Sequence, residues 1–172
     1  MQNLFMPSHR APPASPAFRP SPASTSLPGH GRTPATTEAL DALFVDLLNA
    51  YRASGGLARL GEVLALTRAI PGHDVARLAA WILERRVMSF EWQGDLWLPL
   101  FQFNLSDMTP TQATLQVVQA LNPVLGPWAL AAWFARAHAL LENRSPADAL
   151  DTSFPDVMRA AGAEPVIAVA IA

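Results

Sequence analysis

The chain contains no cysteine and no lysine, and it has a single tyrosine. Without cysteine, disulfide frameworks, zinc–thiolate sites and thiol nucleophiles are excluded. A reducing compartment fits, and a cytoplasmic location is expected. No apolar run approaches the ~18 residues of a membrane span. The N-terminus lacks a charged region followed by an apolar one, so neither a signal peptide nor a membrane partner is expected. A Walker A loop, GxGxxG, HExxH and GxSxG are all missing. His9 and His30 lie near the start, which leaves His73 and His138 well separated along the chain. Two such histidines without cysteine make a poor metal site, so no metal and no cofactor is expected. The acids are scattered singly, and Glu91 and Asp95 fall on a hairpin tip where neither would be desolvated. No enzymatic role is expected from this inventory.

What is present divides unevenly. The 172 residues have room for one domain or two very small ones. Residues 1–37 hold eight of the sixteen prolines, with Arg10, Arg19 and Arg32 and no acid. Few apolar side chains there can offset the entropy of ordering, so this part reads as a disordered, solvated tail. A transit peptide and a later translation start are the competing readings; so many prolines oppose the amphipathic helix of the former. The remaining residues carry nine arginines against fourteen acids, a formal charge of −5. That balance is unlike a free-standing nucleic-acid binder, which needs a basic footprint.

Apolar spacing predicts helices. Leu40, Leu43, Phe44, Leu47, Leu48 and Tyr51 form one stripe, with Thr37 as N-cap and Ser54-Gly55-Gly56 as stop. A second helix is expected over 57–68 and a third over 74–86, entered at His73 or Asp74 and ending in basic residues. The period then becomes alternating. "FEWQGDLWLPLFQF", residues 90–103, holds five aromatics in fourteen positions. A Gly94-Asp95 turn would pair Trp92 with Trp97 and put Phe90, Trp92 and Trp97 on one face, followed by Phe101 and Phe103. Pro99 makes the second strand an edge or breaks it there. This face most simply packs on the preceding helices. A base-stacking platform would need basic neighbours, and there are none between 88 and 135.

After a loop at 104–110, helices are expected over 111–121, with Leu115, Val118 and Leu121 inward, and over 126–141. Ser145 and Pro146 read as the N-cap and first position of a short helix. A last helix is expected at 154–163, and 165–172 stay unassigned. The expected architecture is mainly α with one β-hairpin. It comprises a tail (1–37), a winged-helix-like unit of helices and hairpin (38–104) and a C-terminal helical bundle (105–172).

Two functional readings follow. The order helix, Pro-Gly turn, helix, hairpin is that of a winged-helix or excisionase-like unit, whose second helix enters the major groove. In that reading Arg77, Arg85 and Arg86 contact operator DNA, with no Asn or Gln on that helix to read adenine. The other reading comes from a resemblance. "WALAAWFARAHALLENRSPADALD", residues 128–151, resembles the toxin-binding domain of Xre/MbcA/ParS-type bacterial antitoxins. The pattern is a tryptophan-bearing helix, an Arg-Ser/Thr-Pro turn and a short Leu-containing helix. It is carried by Trp128, Trp133, Phe134, His138, Leu140, Arg144, Ser145, Pro146 and Leu150. "LWLPLFQFN", residues 96–104, resembles the hairpin ending upstream of that domain, so the similarity spans about residues 56–162. The family usually has Leu-Gly-Gly before the turn, where this chain has Leu141-Glu142-Asn143. The resemblance implies a non-catalytic partner that covers the active-site entrance of a toxin encoded beside it, in some cases one that degrades NAD. It also implies repression of its own operon, and leaves open a homo-oligomer. The partner-binding residues it implies are Trp133, Arg136, His138, Asn143 and Arg144.

Overall fold

A computed structural model describes residues 34–70 and 75–170, with side chains over 37–70 and 75–164. The tail expected before Pro34 and the helix entry at His73 or Asp74 lie outside the described residues. Pro34–Ala172 forms one compact unit.

Helix α1 is Pro34–Ala50 and continues as a 3-10 turn, Tyr51–Ser54. It starts three residues ahead of the expected Thr37 cap, because the first turn of a helix accepts a proline that has no N–H to donate. Gly55 and Gly56 both have positive φ, 99° and 85°, and turn the chain into strand β1, Leu57–Arg59. The stretch expected as helix from 57 is therefore strand first and helix second. Leu57, Ala58 and Arg59 pair with Pro99, Leu98 and Trp97. Arg59 N–H donates to Glu62 Oε2 at 2.8 Å, which closes the first turn of α2, Leu60–Arg68.

Helix α3 is Val75–Leu83 and stops ahead of the expected Arg86. Arg85 takes φ 53°, Arg85 N–H donates to Ile82 O, and Arg86 N–H reaches back to Trp81 O. This pair of bonds is a Schellman ending, formed here with arginine at the left-handed position that glycine usually fills.

Strands β2, Phe90–Trp92, and β3, Asp95–Pro99, make the expected hairpin. The register differs by two: Phe90 pairs with Trp97, Glu91 with Leu96 and Trp92 with Asp95. The turn residues are Gln93 and Gly94, both at positive φ (50° and 82°), the backbone of a type I′ turn whose twist matches the strands. A shift of two preserves the faces, whereas a shift of one would reverse them. Phe90, Trp92 and Trp97 therefore share one face, as expected. The sheet order is β1-β3-β2, so β3 is central and ends at Pro99. A 3-10 turn, Leu100–Gln102, then breaks the alternation. Phe101 stacks on Tyr51 at 5.5 Å, while Phe103 goes to a different core and does not join the hairpin face.

β3 separates two apolar clusters, because successive strand residues point to opposite faces. Trp97 enters one cluster with Phe44, Tyr51, Phe90 and Phe134, which draws on the hairpin and the C-terminal helices together. Leu98 enters the other with Val63, Leu78, Val87 and Phe103. Phe44 and Trp92 stack at 3.7 Å and 7°, and Trp92 Nε1 donates to Asp41 at 2.9 Å. Between the hairpin and α3, Gln102 is fully buried. Its Oε1 accepts from Met88 N–H at 2.7 Å, and its Nε2 donates to Met88 O and Pro99 O at 2.9 Å.

The segment expected as a loop forms a short ladder, β4 Phe103–Asn104 with β5 Thr109–Pro110. Thr111 caps α4, Gln112–Leu121, by accepting from Thr114 N–H. Thr114, Val117, Val118 and Leu121 are buried; Leu115, expected inward, is half-buried at the edge of a cleft. Helix α5 is Pro127–Ala135 and ends where Arg136 turns extended, ψ 144°. The single helix expected over 126–141 is thus split: α5, then a 3-10 turn at Ala139–Leu141. α5 buries Leu130 to Phe134 in succession, and beyond Arg136 the bond from His138 N–H to Arg144 O draws the chain out of the helix. Ser145 caps α6, Pro146–Ala149, with Pro146 at its first position, as expected. Helix α7, Phe154–Ala170, runs beyond the expected end at 163.

The described residues are therefore mainly α, with a small three-stranded antiparallel sheet and a short two-stranded ladder. No described helix is long and apolar enough to cross a membrane.

Candidate functional site

An open, largely apolar cleft of about 450 Å³ lies between α1, α5 and α7. Leu43, Leu125, Trp128 and Ala132 line it, with Arg136, His138 and Glu164 among its polar groups. Trp133 is buried, and its ring meets Phe134 edge-on at 5.0 Å. Its Nε1 donates to Glu164 Oε2 at 3.0 Å, which ties α5 to α7 at the cleft wall. Arg136, at the C-cap of α5, is exposed and also borders a smaller cavity with Asp46 and Leu47. An apolar floor with a few directional groups is the usual make-up of a recognition site.

The turn beside this cleft is held by its backbone. His138 N–H donates to Arg144 O at 3.0 Å and Asn143 N–H to His138 O at 3.1 Å. Within the turn that these bonds close, two consecutive residues are left-handed: Glu142 has φ 57° and Asn143 φ 60°. Asn tolerates that region; Glu pays a conformational penalty of roughly 1–2 kcal/mol. The His138 Nδ1 accepts from Leu140 N–H at 3.3 Å, which orients the imidazole at 6.3 Å from the Trp133 ring.

Of the five partner-binding residues expected, Trp133, Arg136 and His138 come together in the cleft. Asn143 is exposed on the turn and does not line it. Arg144 is half-buried and pinned: Nη1 donates to Thr152 Oγ1 and Nη2 to Ser153 Oγ, both at 3.0 Å. Its Nε is buried without a hydrogen bond. Arg144 thus locks the turn onto the entry to α7. Glu164 joins the cleft through its bond to Trp133, and nothing in the local pattern around it points to a partner 31 residues earlier.

The three arginines of the DNA reading are placed differently. Arg77 is exposed on α3, about two helical turns before Glu84. Arg85 donates from Nη2 to Leu125 O at 3.2 Å. Arg86 lies 3.8 Å from Glu84. The exposed positions of α3 are otherwise Ala76, Ala79 and Leu83, the last 83% exposed.

Among the described residues, no group of three or more His, Cys, Asp or Glu side chains is placed to hold a metal ion. No protein-family profile matches the chain, and no curated protein or solved structure matches it.

Proposed function

We propose that the chain is an antitoxin-like interaction module, which binds a toxin protein through the α1–α5–α7 cleft and the adjoining 138–145 turn and neutralises it by occlusion, without catalysis. One observation carries this reading. Glu142 and Asn143 are both left-handed at the two positions where the resembled antitoxins have Gly-Gly. A Gly-Gly pair adopts such backbone without strain, and here Glu142 and Asn143 hold it at an energetic cost, which supports a turn of that shape. The cleft beside it supplies Trp128 as an apolar anchor and Arg136 as a directional group, the residue types that dominate binding energy at protein interfaces. In this reading the chain acts in the cytoplasm, on a toxin of which an NAD-degrading enzyme is one candidate. The test is co-expression with the product of the neighbouring gene. A complex that survives purification supports the reading. A neighbouring product unrelated to toxins, with nothing co-purifying, contradicts it.

A second reading, a DNA-binding regulator of the chain's own operon, is favoured by the topology: β1-α2-α3-β2-β3 with sheet order β1-β3-β2 is winged-helix-like. Its test is a shift of the chain's own promoter DNA whose salt slope falls when Arg77 is replaced by Ala. No shift at low salt contradicts it.

A further inference from the structure

A second cleft, about 390 Å³, lies on the other side of the α4–α5 connection, between the end of α3 and the outer face of α4. Its contents are unlike those of the first. Gln112, Gln116 and Gln119 project from one face of α4, since residues at i, i+4 and i+7 lie in one row. None of the three amides makes a hydrogen bond to the described residues, although each offers donors and an acceptor. Facing them at the C-terminal end of α4 are Arg85 and Arg86.

The backbone that carries these arginines is held deliberately. Asn122, the C-cap of α4, donates from Nδ2 to Arg85 O, and the Arg85 guanidinium donates to Leu125 O. Both bonds clamp a non-glycine residue at φ 53°. A strained position over-determined by its surroundings is a reason to look for a role at that place.

We propose that this cleft binds an extended peptide segment bearing a carboxylate. The dimensions fit: Gln112 to Gln119 span about 10.5 Å along the helix axis, the reach of about three extended residues at roughly 3.3 Å each. Primary amides that both donate and accept suit a peptide backbone, which presents N–H and C=O in alternation. The charge fits a single carboxylate. Arg85 and Arg86 face one acid, Glu84, 3.8 Å from Arg86, so the cleft has one cation in excess. The acidic balance of the rest of the described body opposes a polyanion such as duplex DNA. The carbonyls at the end of α4 also repel anions, so a carboxylate seated there needs both guanidiniums.

The test uses the full chain and a displayed library of random heptapeptides with unblocked carboxyl termini. The selected peptide is titrated by calorimetry in its acid and amide forms, and a duplex 16-mer rich in adenine is titrated in parallel. Gln116→Ala and Arg86→Glu are the variants, because neither side chain holds the fold; unchanged melting curves establish this for each preparation. The expected result is micromolar binding of the peptide acid, about tenfold weaker for either variant and for the peptide amide, and unchanged by Arg136→Glu in the other cleft. No enriched peptide, an affinity of either variant or of the peptide amide equal to that of the parent chain with the peptide acid, or binding of the duplex instead of the peptide overturns the proposal. The outcome is independent of toxin binding, because the two clefts share no lining residue.

Discussion

The indole N–H of Trp133 donates to the carboxylate of Glu164 across 3.0 Å, and this bond joins two helices at the wall of the α1–α5–α7 cleft. Trp133 is buried and Glu164 half-buried, so the pair sits where core becomes surface. Glu164→Ala leaves the indole N–H without its acceptor, at a cost of about 1–2 kcal/mol. Thermal denaturation is expected to show that loss, and partner affinity at the cleft is expected to fall with it. Glu164→Gln keeps an acceptor and is expected to restore most of both. Equal stability of the Ala variant and the parent contradicts the assignment.

Gln102 is expected to be the polar residue least tolerant of change. Gln102→Leu keeps much of the volume but strands Met88 N–H, Met88 O and Pro99 O in the interior. A loss on the order of 3 kcal/mol is expected, seen as a lower urea midpoint at constant slope.

Tyr51 reports on alkaline stability. Its hydroxyl donates to Ala131 O at 2.6 Å, and burial pushes its pKa far above the ordinary value of about 10. The folded state therefore holds the proton that the unfolded state releases. The contribution to stability is complete below about pH 10 and declines as pH rises past it. Because the chain has one tyrosine, tyrosinate absorbance reads this group alone. The expected result is that absorbance at high pH appears together with loss of helical circular dichroism. Tyrosinate forming ahead of unfolding contradicts the buried bond.

The left-handed turn is expected to be improvable. Glu142→Gly removes the Cβ penalty at φ 57° and is expected to stabilise the chain by about 0.5–1 kcal/mol, whereas Asn143→Val is expected to destabilise it by at least as much. Melting temperatures of the two variants moving in opposite directions is the result that checks the turn.

Helix identities and the aromatic face of the hairpin were legible in the sequence because each rests on a local period. The two-residue register shift left that face intact, since strand faces repeat every second residue. What was illegible depends on contacts distant in the chain. Leu57–Arg59 reads as the start of a helix until β3 is present to pair with it. Arg136 reads as helix until the bond from His138 N–H to Arg144 O draws the chain away. The candidate site was legible in the same proportion. Trp133, Arg136 and His138 were reachable from one stretch of sequence, whereas Glu164 enters only through the packing of α7 on α5. Arg144, an apparent surface cation, is tied up by Thr152 and Ser153 of the next connection.

The role proposed for the α1–α5–α7 cleft is to grip another protein. Its most direct test is the affinity of the purified chain for the product of the neighbouring gene, measured by calorimetry for the parent, for Arg136→Glu in the cleft and for Arg52→Glu, an exposed residue of the 3-10 turn after α1 that lines neither cleft. The expected result is a tight complex weakened at least tenfold by Arg136→Glu and unchanged by Arg52→Glu. No measurable complex, or one indifferent to Arg136→Glu, contradicts the claim.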